Sequence, residues 1–129
     1  MCGINGIVKY NGFADVSRLQ KMNEIIYHRG PDSGNIWVSE DKSLAFGHRR
    51  LSIIDLSSSG NQPMIDETNG NVVILNGEIY NFIELKKKLI KSNYKFISNS
   101  DTEVLLKAYD YWGSNFLKNI EGMFAFAIY

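Results

Sequence analysis

Asn71-Val72-Val73-Ile74-Leu75-Asn76-Gly77-Glu78-Ile79-Tyr80-Asn81 is the stretch on which the fold turns. Its β-branched first half, residues 71–75, has the composition of a short strand. The second half is open to two readings. Asn-Gly is the strongest short hairpin signal, so Asn76-Gly77 can be a two-residue turn. Against a hairpin, Glu78-Ile79-Tyr80 does not resume the polar and apolar alternation of a return strand. In the other reading the strand delivers a side-chain amide and a backbone N–H, both able to donate to an oxygen that gains negative charge.

Beyond this stretch, Asn81 with Glu84 three residues on resembles a capping box, and Phe82, Leu85 and Leu89 give the next helix one apolar face. Ser100-Asp101-Thr102-Glu103 is a second such box, opening a helix with Leu105, Ala108, Tyr109 and Trp112 in one stripe. Residues 122–129 read as a largely buried strand reaching the last residue. Such a strand needs a neighbour on each side, so a truncated chain is expected. Its loss of later strands also predicts marginal stability for the piece alone.

Upstream, residues 3–10 predict a strand, Asn11-Gly12 a turn, and Asp15 the cap of a helix from Val16 to about Tyr27 that Gly30-Pro31 stops. Residues 36–39 and 44–52 are two further strands, and residues 56–62, with three consecutive serines, are a loop.

A chain of 129 residues, 44% hydrophobic, supports one ordinary core. Fourteen basic and fourteen acidic residues cancel, which removes any overall attraction to nucleic acid or anionic lipid. Lys86-Lys87-Lys88 reads as a solvated helix face. A single cysteine excludes an internal disulfide and a thiolate metal cluster, and suggests a reducing compartment. No basic stretch followed by an apolar run opens the chain, so neither a signal peptide nor a membrane span is expected, and the cytoplasm is the default location.

A lone cysteine is ordinarily a small buried apolar residue. Cys2 differs by position: if Met1 is removed it carries both a thiol and a free α-amino group, whose unperturbed pKa is about 7.7–8.0. A thiol with its own base needs no histidine, so His28 and His48 are not required. Gly3 leaves the adjacent backbone open to a substrate. Arg50, between an apolar strand and a loop, is either a surface charge or a planar clamp for a carboxylate. Glu78 and Asp101 are candidate partners for an ammonium, although an acid in the first turn of a helix is favoured by the dipole without any ligand.

Seven pieces occur in order: Met1-Cys2-Gly3-Ile4, His28-Arg29-Gly30-Pro31-Asp32, Gly47-His48-Arg49-Arg50-Leu51-Ser52-Ile53-Ile54-Asp55, Gln62-Pro63-Met64, Asn76-Gly77-Glu78-Ile79-Tyr80-Asn81, Ser100-Asp101-Thr102-Glu103 and Gly122-Met123-Phe124-Ala125-Phe126-Ala127. Together they resemble the class II, N-terminal-nucleophile glutamine amidotransferases, and more narrowly the glutaminase domain of glutamine-hydrolysing asparagine synthetases. The resemblance implies an α+β fold, an αββα sandwich of two antiparallel sheets between helix layers, incomplete at its C-terminus. Residues 1–129 would be the N-terminal portion of that domain, with the synthetase domain absent.

Carried over by position, the resemblance makes Cys2 the nucleophile and Asn76 and Gly77 the oxyanion hole. Arg50 takes the glutamine carboxylate, Glu78 and Asp101 its α-amino group, and main-chain groups around Ile53 and Ile54 line the pocket. It implies no metal or cofactor in this chain, and ATP and magnesium in the missing synthetase domain. The implied partners are L-glutamine and that domain, without nucleic acid or membrane, in a parent that can be a homodimer. The parent reaction would be carbon–nitrogen ligation with glutamine as amido donor to an activated aspartate. The alternatives are the glutaminase domain of another amidotransferase with a different acceptor, and an inactive fragment acting as a binding module. One departure from the pattern, Asn35 where glycine is expected after Gly34, predicts a locally altered turn.

Overall fold

The computed structural model describes residues 2–129. In it β5 (Val72–Ile79) runs without a turn through Asn76 and Gly77. Its partner is the distant β6 (Gly122–Ile128), with Asn76 opposite Ala125 and Gly77 opposite Phe124. Long-range pairing thus overrides the local Asn-Gly hairpin signal. Glycine at position 77 has a different cause. At φ +144° it lies where side chains are disfavoured, and a Cβ would run into the Met123 carbonyl oxygen on β6.

The remaining elements are β1 (Gly3–Val8), α1 (Val16–Ile25), β2 (Ser33–Val38), β3 (Leu44–Arg50), β4 (Met64–Ile65), α2 (Phe82–Lys91) and α3 (Asp101–Trp112). Short 3₁₀ turns occupy Tyr27–Arg29, Ser58–Gly60 and Gly113–Lys118. The strands form two three-stranded antiparallel sheets, ordered β1-β3-β2 and β4-β5-β6.

Three apolar layers hold the sheets and helices together, as expected of an α+β sandwich. Leu19 on α1 packs with Ala45, Ile7, Ile36 and Val38 on the outside of the first sheet. Phe46, Val72 and Ile74 meet Ile4, Trp37 and Leu44 between the sheets. Val73, Leu75 and Ile79 pack with Leu85, Leu89, Leu105 and Leu106 beneath α2 and α3. Successive residues of a strand point to opposite faces, so β5 serves both inner layers, which is why its apolar run does not alternate. Asn76 and Glu78 consequently share the face of Val72 and Ile74, towards the first sheet.

Asp15 caps α1 as expected, accepting from the Arg18 N–H at 2.9 Å. Ser100 caps α3, accepting from the Glu103 N–H at 3.3 Å, but Glu103 does not complete the box: its carboxylate accepts from the backbone of Ile97 and Ser98. The Asn81 box does not form at all. That amide bridges Asn119 O and Glu121 N, tying the start of α2 to the approach to β6. Nor is β6 largely buried. It is the outer strand of its sheet among the described residues, with Met123 69% exposed and only its second half covered. Asn35 makes no altered turn, being an extended residue inside β2.

Candidate active site

β1 begins at Gly3, opposite Arg49 of β3, and this register brings the preceding Cys2 beside the end of β3. The Leu51 N–H lies 3.4 Å from Cys2 Sγ, and the thiol lies 3.6 Å from Leu51 O. Arg29 Nε donates to Cys2 O at 2.9 Å. Gly3 is not a substrate window: it is buried, and a Cβ would sit 2.8 Å from Ile26 Cδ1. The turn after α1 closes on β1 there, and a Cβ would require the Ile26 side chain to shift. The expected loss of Met1 falls outside the described residues.

Cys2 opens into a cavity of about 220 Å³. All eight residues singled out in the sequence line it: Cys2, Arg50, Ile53, Ile54, Asn76, Gly77, Glu78 and Asp101. Leu51, Asp55, Gln62, Tyr80 and Thr102 line it too and were not anticipated. Leu51 acts through its backbone, which no side-chain pattern announces. The others lie within or beside the recurring motifs, where only the motif could have pointed to them.

Arg50 is buried, which removes the surface-charge reading. Its guanidinium donates to Ser57 O at 2.7 Å, to Asn61 Oδ1 at 2.9 Å and to Asp55 O. Three of its five N–H groups are thus held by the 51–61 loop, leaving the other two for a ligand. Asp55 fastens the same loop, accepting from the Ser57 hydroxyl at 2.6 Å and from the backbone of Ser57 and Asn99. Those bonds, the hydroxyl's first, hold its carboxyl down at about 2.

Asp101 is also buried and accepts from the Ile79 N–H at 3.0 Å. Burial raises its pKa, with a smaller push from the Glu78 charge, against bonds from Ile79 and Thr102 that lower it. A carboxylate in that state gains from a neighbouring cation. Glu78 is exposed at the cavity rim.

The backbone of β5 adds the remaining donor. Val72 exchanges hydrogen bonds with Tyr129, and the Tyr80 N–H donates to Glu121 O, so even-numbered residues of β5 face β6. Odd-numbered ones face the side where β4 has already stopped. There the Leu75 N–H goes to Gln62 Oε1 at 2.6 Å and the Ile79 N–H to Asp101. The Gly77 N–H lies between them, turned towards the open edge. Asn76 Oδ1 is buried without a partner.

Neither histidine reaches the thiol through a hydrogen bond among the described residues. His48 is fully buried, its Nε2 3.1 Å from Leu75 O and its Nδ1 unpartnered, and burial lowers its pKa to about 4. Among the described residues no group of three or more His, Cys, Asp or Glu is placed to hold a metal ion, and no helix is long and apolar enough to cross a membrane.

A thiol, an open strand edge, a buried arginine and a buried carboxylate thus share one pocket of a two-sheet sandwich. The family model described as "Glutamine amidotransferase domain" matches residues 1–129, and the chain belongs to that family. It is 41% identical over 133 residues to asparagine synthetase [glutamine-hydrolyzing] 1 of Bacillus subtilis, covering all of this chain and 21% of that protein. It is 37% identical over 140 residues to the amidase chry2 of Gibberella zeae, again covering all of this chain and 21% of the relative. The chain therefore spans about a fifth of the length of these curated relatives. The solved glutamine phosphoribosylpyrophosphate amidotransferase of B. subtilis superposes with a TM-score of 0.82 over 99% of this chain and 35% of its own, at 22% identity, a likeness of fold.

Proposed function

We propose that this domain hydrolyses the side-chain amide of L-glutamine, with Cys2 as the nucleophile. The observation that carries the reading is the convergence on one cavity of the Cys2 thiol, the open Gly77 edge, Arg50 and Asp101. Arg50 receives the substrate's α-carboxylate, and Glu78 and Asp101 its ammonium, while the main chain at Ile53 and Ile54 walls the pocket. Removal of Met1 frees the α-amine of Cys2, which takes the thiol proton. Sulfur bonds to the carboxamide carbon, and the carbonyl electron pair moves to oxygen, held by Asn76 Nδ2 and the Gly77 N–H. Collapse of this intermediate expels ammonia with the proton returned by the amine. Water then hydrolyses the glutamyl thioester to glutamate and the free thiol.

For the protein that carries this domain we favour asparagine synthesis in the cytoplasm. There a synthetase domain using ATP and magnesium would pass the ammonia to an activated aspartate, in a parent able to pair as a homodimer. A different acceptor is the second reading, supported by the 37% identity to a relative named as an amidase. The test is Cys2→Ala in the intact protein: glutamine-dependent ammonia release is expected to vanish with the fold retained. Undiminished release would refute the assignment. An uncleavable N-terminal extension is expected to abolish activity as well, because it removes the free amine.

A further inference from the structure

β4 is two residues long, yet β5 continues for six residues past its last pairing with it at Val73. An exposed sheet edge is a row of unmet donors and acceptors. Here side chains take the place of the absent strand. Gln62, two residues before β4, accepts from the Leu75 N–H at 2.6 Å, while His48 Nε2 meets the Leu75 carbonyl from β3. The other end of the Gln62 amide donates to Thr102 Oγ1 at 3.1 Å, next to Asp101 on α3. Gln62 is itself buried, and its main-chain oxygen accepts from Asn35 Nδ2 at 3.3 Å.

We propose that Gln62 is a positioning residue: its amide, held between the Leu75 N–H and the Thr102 hydroxyl, sets where the Gly77 N–H lies relative to Asp101. The proposal rests on the reading of Gly77 as an oxyanion donor. Leu75 is two residues from Gly77 on the same edge, so an error there is carried along a stiff strand to the donor. A donor that acts on charge formed only during the reaction affects turnover more than substrate binding.

Gln62→Met preserves length and removes both hydrogen bonds. In the intact protein it is expected to lower kcat on the order of 10- to 100-fold, with KM changed by less than about 3-fold. Inhibition by glutamate γ-semialdehyde, which forms a tetrahedral adduct with a thiol, should weaken in parallel, while inhibition by glutamate stays constant. Gln62→Glu keeps an oxygen for Leu75 and is expected to restore part of kcat. Thr102→Val, nearly isosteric, should lower kcat less and in the same direction, and provides the test if Gln62→Met does not fold. Lys107→Met removes the buried bridge to Asp66 away from the cavity, and should lower Tm without altering kcat. Equal loss of aldehyde and glutamate affinity in Gln62→Met, or unchanged kcat in Thr102→Val, would overturn the proposal. Asn76→Ala in the same series separates the two readings. If it loses aldehyde affinity and Gln62→Met does not, only the role of Gln62 falls; if neither does, the oxyanion assignment itself falls.

Discussion

Acidification is expected to destabilise this domain through His48. The ring is fully buried; Nε2–H donates to the Leu75 carbonyl, and the only place for a second proton is Nδ1, which has no partner. Protonation would therefore bury a charge and an unmet N–H together. Burial is the main reason its pKa falls from 6.5 to about 4, with the Arg50 charge adding to it and the Leu75 bond opposing. The unfolded chain takes up this proton first. Stability from His48 is thus complete above about pH 6.5 and is lost as the pH falls towards 4. At 1.36 kcal/mol for each pH unit, the gap amounts to about 3 kcal/mol, a large part of a typical domain's 5–15 kcal/mol. Asp101 acts in the opposite sense, because a raised carboxyl pKa means that the fold binds this proton more tightly. Comparison with His48→Gln, which keeps an N–H for Leu75, cancels that contribution. Urea denaturation from about pH 7.5 to about pH 4.5 should show the native protein losing roughly one proton's worth of slope more than the variant. Parallel stability curves, or a His48 resonance titrating near 6.5, would refute the argument.

Gly77→Ala should fail to fold normally, since it combines a φ cost on the order of 1–3 kcal/mol with a collision against the β6 backbone. A Tm within a degree or two of the native value would contradict this. Asp101→Asn keeps an acceptor for the Ile79 N–H while removing a buried charge. At neutral pH its Tm should equal or exceed the native one, and KM for glutamine should rise by about 10- to 100-fold through loss of the ammonium partner. An unaltered KM would remove Asp101 from the substrate pocket.

What could be read in advance depended on how local the cause was. Asp15 and Ser100 cap their helices through residues three positions away, and the Leu105 stripe follows from helical period, so those elements were legible. The candidate site residues were picked out by a motif order spanning the whole chain, and all eight line one cavity. Elsewhere a distant partner decided the outcome. Asn76-Gly77 carries a hairpin signal that pairing with residues 124 and 125 overrides, and Asn81 turns its amide to residues 119 and 121 instead of its own helix. Gly3 packs beneath the distant Ile26 side chain, and the Asn35 amide meets the Gln62 carbonyl. Gln62 stands in the Gln62-Pro63-Met64 piece, yet that piece announces no contact for its amide, because the amide meets a strand edge that exists only once β4 has ended.

The close approach of β6 to Gly77 has a consequence for how the proposed oxyanion donors can change. A side-chain donor such as Asn76 can be exchanged, lengthened or deleted by a single codon. The peptide N–H at Gly77 survives every replacement except proline, and the positive φ with the adjoining Met123 carbonyl closes the position to proline and to other larger residues alike. This donor therefore cannot be tuned by substitution in place. Natural variation and protein engineering alike must tune it from outside, by shifting the strands that seat it, and an amide-to-ester exchange in the backbone would erase the donor without adding bulk against β6.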